Sequence, residues 1–200
     1  MTIANKITTG RLLLAVVLFV LMDLMGREPI PGWKLSTVCF FLFILVTASD
    51  ALDGYYARKL GQVSDFGRIA DPAADKVIIC GSFILLSAVP WGRAIVPPWI
   101  VVAIVGREFI VTALRGFMEA RGKPFGADPA GKLKMIVQCI AVPSVIFTHM
   151  VGGVLGRDHP VHAFFHWLAV IMVWVALVLT VVSGALYIRK AAENLKGSGL

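Results

Sequence analysis

The chain has 200 residues, 58% of them apolar, with a mean hydropathy of +0.83 and a formal net charge of +7. A chain this apolar is not an ordinary soluble domain, because long apolar runs mark the membrane class. Its cations form no basic run or aromatic-basic platform on a soluble segment, which argues against nucleic acid as a partner and for anionic headgroups.

Six apolar segments run roughly over 11–25, 34–57, 67–89, 95–119, 132–151 and 162–188. Their lengths bracket the ~20 residues a spanning helix needs. They predict an all-α integral membrane protein with six transmembrane helices, forming one membrane domain over 1–200. Ahead of the first segment, MTIANKITTG sets Ile3 and Ile7 among polar residues, a spacing that predicts a short N-terminal interfacial helix. Lys6, Arg11 and the apolar run after them imitate a signal peptide. No small-x-small site follows and Asp23 interrupts the run, so a retained first helix is expected. Turn chemistry separates the segments at GREPIPGW (26–33), VPWGR (89–93), ARGKPFGADPAG (120–131) and GGVLGRDHP (152–160). Trp33, Trp91, Trp99 and Trp167 lie near run ends, as interface anchors do. Cys39, Cys80 and Cys139 are odd in number, lack a CxxC spacing and read as packing residues.

The cations divide unevenly between the two sides of this layout. Fourteen Lys and Arg fall on the side of both termini and the 58–68 and 121–132 loops; Arg27, Lys34, Arg93 and Arg157 fall on the other. The bias predicts cytoplasmic termini and loops at 58–68 and 121–132, and the simple topology without a targeting segment fits an inner (plasma) membrane protein. Arg107 lies inside the fourth segment.

Between the second and third segments runs SDALDGYYARKLGQVSDFGRIADPAADKV (49–77). Asp50 lies 17 residues beyond Trp33, about 25 Å along a helix and so near the far boundary of the hydrocarbon. Asp50 and Asp53 are spaced i, i+3, and Asp71 and Asp75 are spaced i, i+4 on the next helix, so each pair shares a face. Two antiparallel helices would turn four carboxylates toward one another. Such a group either holds protons, as in an ion or proton transporter, or binds divalent cations such as Mg²⁺, Mn²⁺ or Ca²⁺. The neighbours favour cations: Gly54 and Gly67 permit close approach of a ligand, and Arg58 is placed to meet a phosphate. Asp65 reads as a helix-start residue.

The spacing Asp50-x2-Asp53-Gly54-x2-Ala57-Arg58-x8-Gly67-x3-Asp71-x3-Asp75 resembles the signature of the CDP-alcohol phosphatidyltransferase family, with all eight fixed positions matched. The six-segment layout is also similar, so the resemblance covers essentially the whole chain. It implies that Asp50, Asp53, Asp71 and Asp75 hold two divalent metal ions, Mg²⁺ or Mn²⁺, which bind the pyrophosphate of CDP-diacylglycerol. Gly54, Ala57, Arg58, Ser64 and Gly67 would line the cytidine diphosphate pocket, and Asp75 would take the proton of the acceptor hydroxyl. Asn5-x2-Thr8-x2-Arg11 resembles the short polar motif that lies near the nucleotide in the family. A homodimer is the family's usual state, and Gly81, Ser82, Ala88, Ala103 and Gly106 would allow close packing.

The acceptor is read from the fourth segment, GREFIVTALRGFMEARG (106–122), and from Gly131-Lys132-Leu133-Lys134. Arg107 and Arg115 are eight residues apart on nearly one face, and with Lys132 and Lys134 they form a cationic cluster suited to a phosphate-bearing acceptor. Adjacent helical residues face different ways, so no pair between Arg107 and Glu108 is expected. Both stretches look like those of the phosphatidylglycerophosphate synthase branch, which implies glycerol 3-phosphate as acceptor; Met135 stands where that branch usually has Thr. Inositol phosphate, serine or phosphatidylglycerol are the alternatives, each needing a different helix-four environment. His162 and His166 are spaced i, i+4 but have no third ligand nearby, and read as interfacial.

Overall fold

The computed structural model describes residues 3–26, 32–60, 65–122 and 129–196; the side chains of 3–8, 32, 50–60, 65–71 and 196 lie outside that description. Among the described residues seven helices are formed: α1 (Ile3–Leu24), α2 (Gly32–Leu60), α3 (Asp65–Ala88), α4 (Pro90–Arg93), α5 (Pro98–Ala120), α6 (Pro129–Leu155) and α7 (Pro160–Lys196). No strand occurs among the described residues. The last four helices each open on a proline, whose fixed φ suits a first turn and whose missing N–H would have no helical partner there. Gly122 (φ 69°) and Gly156 (φ 91°) follow α5 and α6 in the left-handed conformation that ends a helix.

The chain departs from the sequence expectation at two places. Residues 3–10 are not a separate interfacial helix but the opening turns of a continuous α1. Nothing between Ile7 and Leu12 breaks helical geometry, since Gly10 costs only about 1 kcal/mol in a helix interior. The second departure is VPWGR, read as a turn, which closes into the one-turn α4 with Pro90 at its first position.

Polarity is arranged inside out relative to a soluble bundle. Large apolar side chains cover the outer faces, with Phe109 74% and Val102 71% exposed, alongside Leu13 and Val20 of α1, Phe41 of α2 and Trp167 of α7. Buried between the helices are Arg11, Ser36, Ser82, Glu108, Lys134, Gln138, Thr148, Thr180 and Ser183. An exposed apolar mantle of this extent marks contact with lipid. The helix α6 and residues Pro160–Leu195 are each long and apolar enough to cross a membrane by themselves. The other long helices carry charge within their apolar stretches, as α5 does at Arg107, Glu108 and Arg115.

Phe43, Phe83, Leu18, Met22, Ile100 and Ile146 are among the core residues that join α1, α2, α3, α5 and α6, and Val173 and Leu177 bring in α7. In this core α6 packs on α2 and α7, α1 on α2 and α3, and α5 on α3 and α7. A smaller cluster of Val111, Met118, Tyr187 and Ala191 ties the end of α5 to the end of α7. Two of the small residues assigned to a dimer surface are used within the chain. Ser82 is fully buried, and a Cβ on Gly81 would meet the Phe19 ring at 2.4 Å, so Gly81 lets α1 approach α3. All three cysteines are free thiols, Cys39 within the core.

Candidate active site

Arg11 on α1 and Asp75 on α3 meet where these helices pack. Arg11 Nη2 lies 3.2 Å from Asp75 Oδ1, with the arginine side chain 1% and the aspartate 24% exposed. Arg11 falls on the α1 stripe that continues through Ala15, Leu18 and Met22, all buried. A cation on that stripe is tolerated because it ends on a carboxylate.

Asp75 opens onto a cavity of about 240 Å³ shared by α3, α5, α6 and α7. Its lining includes Asp75 and Lys76 from α3, Arg107, Glu108, Thr112 and Arg115 from α5, Gly131, Lys132 and Lys134 from α6, and Tyr187 from α7. The four cations chosen from two separate segments of the sequence thus reach one cavity together with the aspartate. Among the described residues, five cationic side chains face two carboxylates there, a balance that favours an anionic ligand.

Glu108 organises this cluster. Its Oε1 accepts from Arg107 Nη1 at 3.0 Å and from the Lys134 ammonium. The expectation that Arg107 and Glu108 do not pair is therefore corrected. Their Cβ atoms diverge, but both side chains are long enough to curl toward Lys134, and a buried acid is costly without cations. Arg107 also donates from Nη2 to Ser183 Oγ at 3.0 Å and lies over the Tyr187 ring, 5.6 Å from its centroid. Arg115 Nη2 donates to Tyr187 Oη at 3.1 Å. The Nε–H groups of Arg107 and Arg115 are buried and have no partner among the described residues, so each guanidinium keeps a donor in reserve. Lys76 Nζ donates to Thr112 Oγ1 at 2.6 Å, and that hydroxyl donates in turn to the Glu108 carbonyl. A Cβ on Gly131 would come 3.8 Å from Arg107 Nη2, so the bare backbone leaves room beside the guanidinium.

Asp50, Asp53, Gly54, Ala57 and Arg58 belong to α2, Gly67 and Asp71 to α3, and Asn5 and Thr8 to α1. Their side chains lie outside the described residues, as does Ser64 altogether. Lys76, Thr112, Ser183 and Tyr187 were not singled out in the sequence. Lys76 carried a signal in its place next to Asp75. The other three are single polar residues in apolar runs, and nothing in one dimension separates them from Thr180, which caps the buried Gln138 amide at 3.1 Å.

Residues 1–182 match the CDP-alcohol phosphatidyltransferase family. The chain is 36% identical over 202 residues to a CDP-diacylglycerol–glycerol-3-phosphate 3-phosphatidyltransferase of Bacillus subtilis strain 168, covering 97% of each chain. It is 32% identical over 202 residues to the enzyme of the same name from Pseudomonas fluorescens, covering 100% of this chain and 94% of the relative. A probable phosphatidylglycerophosphate synthase of Mycobacterium tuberculosis is 29% identical over 98% of this chain and 84% of its own.

Proposed function

Because this chain belongs to the CDP-alcohol phosphatidyltransferase family, we infer that it transfers a phosphatidyl group from CDP-diacylglycerol to sn-glycerol 3-phosphate, giving phosphatidylglycerophosphate and CMP. The observation that carries the acceptor is the shared cavity: Asp75 and the predicted phosphate-binding cations Arg107, Arg115, Lys132 and Lys134 line one space. The names of the relatives support the same acceptor.

In this mechanism the acceptor's phosphate sits among Arg107, Arg115 and Lys132, with Lys134 held back by Glu108. That anchors the molecule at one end and leaves a hydroxyl near Asp75, a gain from orientation alone. Asp75 takes the hydroxyl proton as the oxygen attacks the phosphorus that bears diacylglycerol. The bond from that phosphorus to the bridging oxygen of CMP breaks, and CMP leaves. Arg11, paired to Asp75, fixes the rotamer of the carboxylate.

The donor chemistry fits two divalent metal ions. Asp50 and Asp53 are one turn apart in α2, Asp71 and Asp75 one turn apart in α3, and hard carboxylate oxygens suit Mg²⁺ or Mn²⁺. Among the described residues no group of three such ligands occurs, Asp75 being the one member of the quartet whose side chain is described. When bound, the metals would supply charge stabilisation on the pyrophosphate. Gly54, Ala57, Arg58, Ser64 and Gly67, with Asn5, Thr8 and Arg11, would hold the CDP moiety. The whole chain would act as one membrane domain with six spans, its active site and termini cytoplasmic, working as a homodimer in the inner membrane.

The test is CMP release by purified protein in detergent with CDP-diacylglycerol and Mg²⁺ or Mn²⁺. Glycerol 3-phosphate, inositol phosphate, serine and phosphatidylglycerol are compared as acceptors. Release with glycerol 3-phosphate alone is expected, abolished by chelator, restored by either metal, and lowered by about 10²–10⁴-fold in Asp75→Asn. Release with another acceptor would keep the aspartate chemistry and overturn the reading of the cationic cavity.

A further inference from the structure

A second cavity, of about 370 Å³, lies between α2, α4, α6 and α7. Residues near the start of α6, Lys132 and Lys134, line the catalytic cavity, whereas Thr148, Gly152 and Gly153 near its end line this one. Sixteen residues of helix separate Lys132 from Thr148, or about 24 Å, so the two cavities occupy opposite ends of the bundle. We propose that this second cavity binds a phosphate group, presented by the headgroup of a membrane phospholipid.

Position is the first argument. Trp33 and Trp91 line the cavity, while Trp99 at the start of α5 and Trp167 in the second turn of α7 stand 53% and 64% exposed at the same end. A belt of indoles marks the level of the lipid headgroups, where phosphates are concentrated. The cavity opens at that level.

Chemistry is the second. Among the described residues the lining contains Arg157, His149, His162 and His166 and no carboxylate. Arg157 has no ion pair among the described residues, and the neighbouring Asp158 is exposed outside the lining. Trp91 stacks on His149 at 4.0 Å, and its buried Nε1–H has no acceptor among the described residues. An indole N–H can only donate, so an anionic oxygen in the cavity would satisfy it. The His162 ring is held by its Nδ1–H, which donates to the Arg157 carbonyl at 2.9 Å and fixes both residues at the α6–α7 connection. A metal ion is the competing occupant for three histidines. It is disfavoured because no group of three His, Cys, Asp or Glu stands close enough to hold one among the described residues.

Shape is the third. A Cβ on Gly152 would meet His162 at 2.7 Å and one on Gly153 would meet Trp33 at 2.3 Å, so this wall is bare backbone against aromatic rings. Apolar walls beside a cationic mouth match a phosphodiester joined to a glycerol backbone better than a free ion.

Native mass spectrometry of the full-length protein in maltoside micelles tests this, with dioleoylphosphatidylglycerol as probe and dioleoylglycerol, which lacks the phosphate, as its control. One retained phosphatidylglycerol per chain is expected, with no comparable retention of diacylglycerol. The Arg157→Gln, Trp91→Phe double variant should retain about tenfold less, the loss of charge-assisted donors, while releasing CMP at the parent rate. Should that variant not fold, Arg157→Gln alone, at an exposed position, carries the comparison. Equal retention of diacylglycerol, or undiminished retention by the variant, would overturn the proposal. So would loss of the lipid in Arg107→Gln but not in the double variant, since that would put it in the catalytic cavity. Displacement by millimolar inorganic phosphate would keep the phosphate chemistry but overturn the lipid as its source.

Discussion

Glu108 shows how much of this site depends on one side chain. It is a buried acid between two cations, and Lys134 is itself 5% exposed. Replacing it with Gln would leave an ammonium buried without its counter-charge, a loss of about 3 kcal/mol by analogy with broken buried pairs. The Glu108→Gln variant is expected to melt at lower temperature in detergent, and glycerol 3-phosphate should restore part of that loss by supplying the missing negative charge. A thermal shift assay with and without the ligand reads this, and a deficit indifferent to the ligand would remove the cavity's link to phosphate. Tyr187 supports the same cluster from α7 through its hydroxyl on Arg115. Tyr187→Phe should raise the KM for glycerol 3-phosphate by about tenfold or more, the worth of one hydrogen bond to a charged group, with kcat nearly unchanged. A fall in kcat at constant KM would instead assign the tyrosine to the chemical step. Arg107, Arg115, Lys132 and Lys134 were legible in the sequence because charge in an apolar run needs a reason. Tyr187 was not, since a tyrosine among apolar residues has a sufficient reason in packing.

Helices carry the site by approaching closely at a few glycines. Gly153 on α6 lies against Trp33 at the start of α2, where an added Cβ would meet the Trp33 Cβ at 2.3 Å. That atom sits next to the backbone and cannot swing aside, so the helices themselves would have to part. Gly153→Ala is expected to destabilise the protein by about 1–3 kcal/mol, as overpacking does, measurable as a lower unfolding midpoint in detergent. An unchanged midpoint would mean that the α2–α6 contact yields at little cost. The same variant at Gly116 in α5, where a Cβ meets nothing within 4 Å, should raise the midpoint or leave it unchanged, since Ala is the better helix former. Helix existence was readable from apolar runs and prolines, but helix ends were less so. The α1 helix absorbed the predicted interfacial segment, and α7 runs for 37 residues, about 55 Å, well beyond a hydrocarbon core of ~30 Å. Its polar end, where Arg189 and Glu193 pair at 2.9 Å, carries no apolar signal, so hydropathy alone stopped at residue 188.

Across the whole molecule, two cavities of different chemistry stand at opposite ends of one helical bundle with an apolar mantle between them. The cation bias predicts that the catalytic end faces the cytoplasm. Single cysteines introduced in a cysteine-free background would test it in intact cells. Arg157→Cys should react with a membrane-impermeant maleimide at once, and Arg121→Cys only after permeabilisation. The reverse pattern would invert the topology and place substrate entry on the outer face.

The sequence by itself determined the membrane class and the helical composition, because each follows from period and the cost of charge in an apolar run, and the family, through the resemblance of its eight-position signature. Which distant residues share a space was decided by tertiary structure alone. Arg11 and Asp75 are 64 residues apart and ion-paired, and Glu108 joins α5 to α6 through Lys134. Partners such as these are chosen by helix packing, which sets the distances between faces that a linear pattern can only mark as buried or charged.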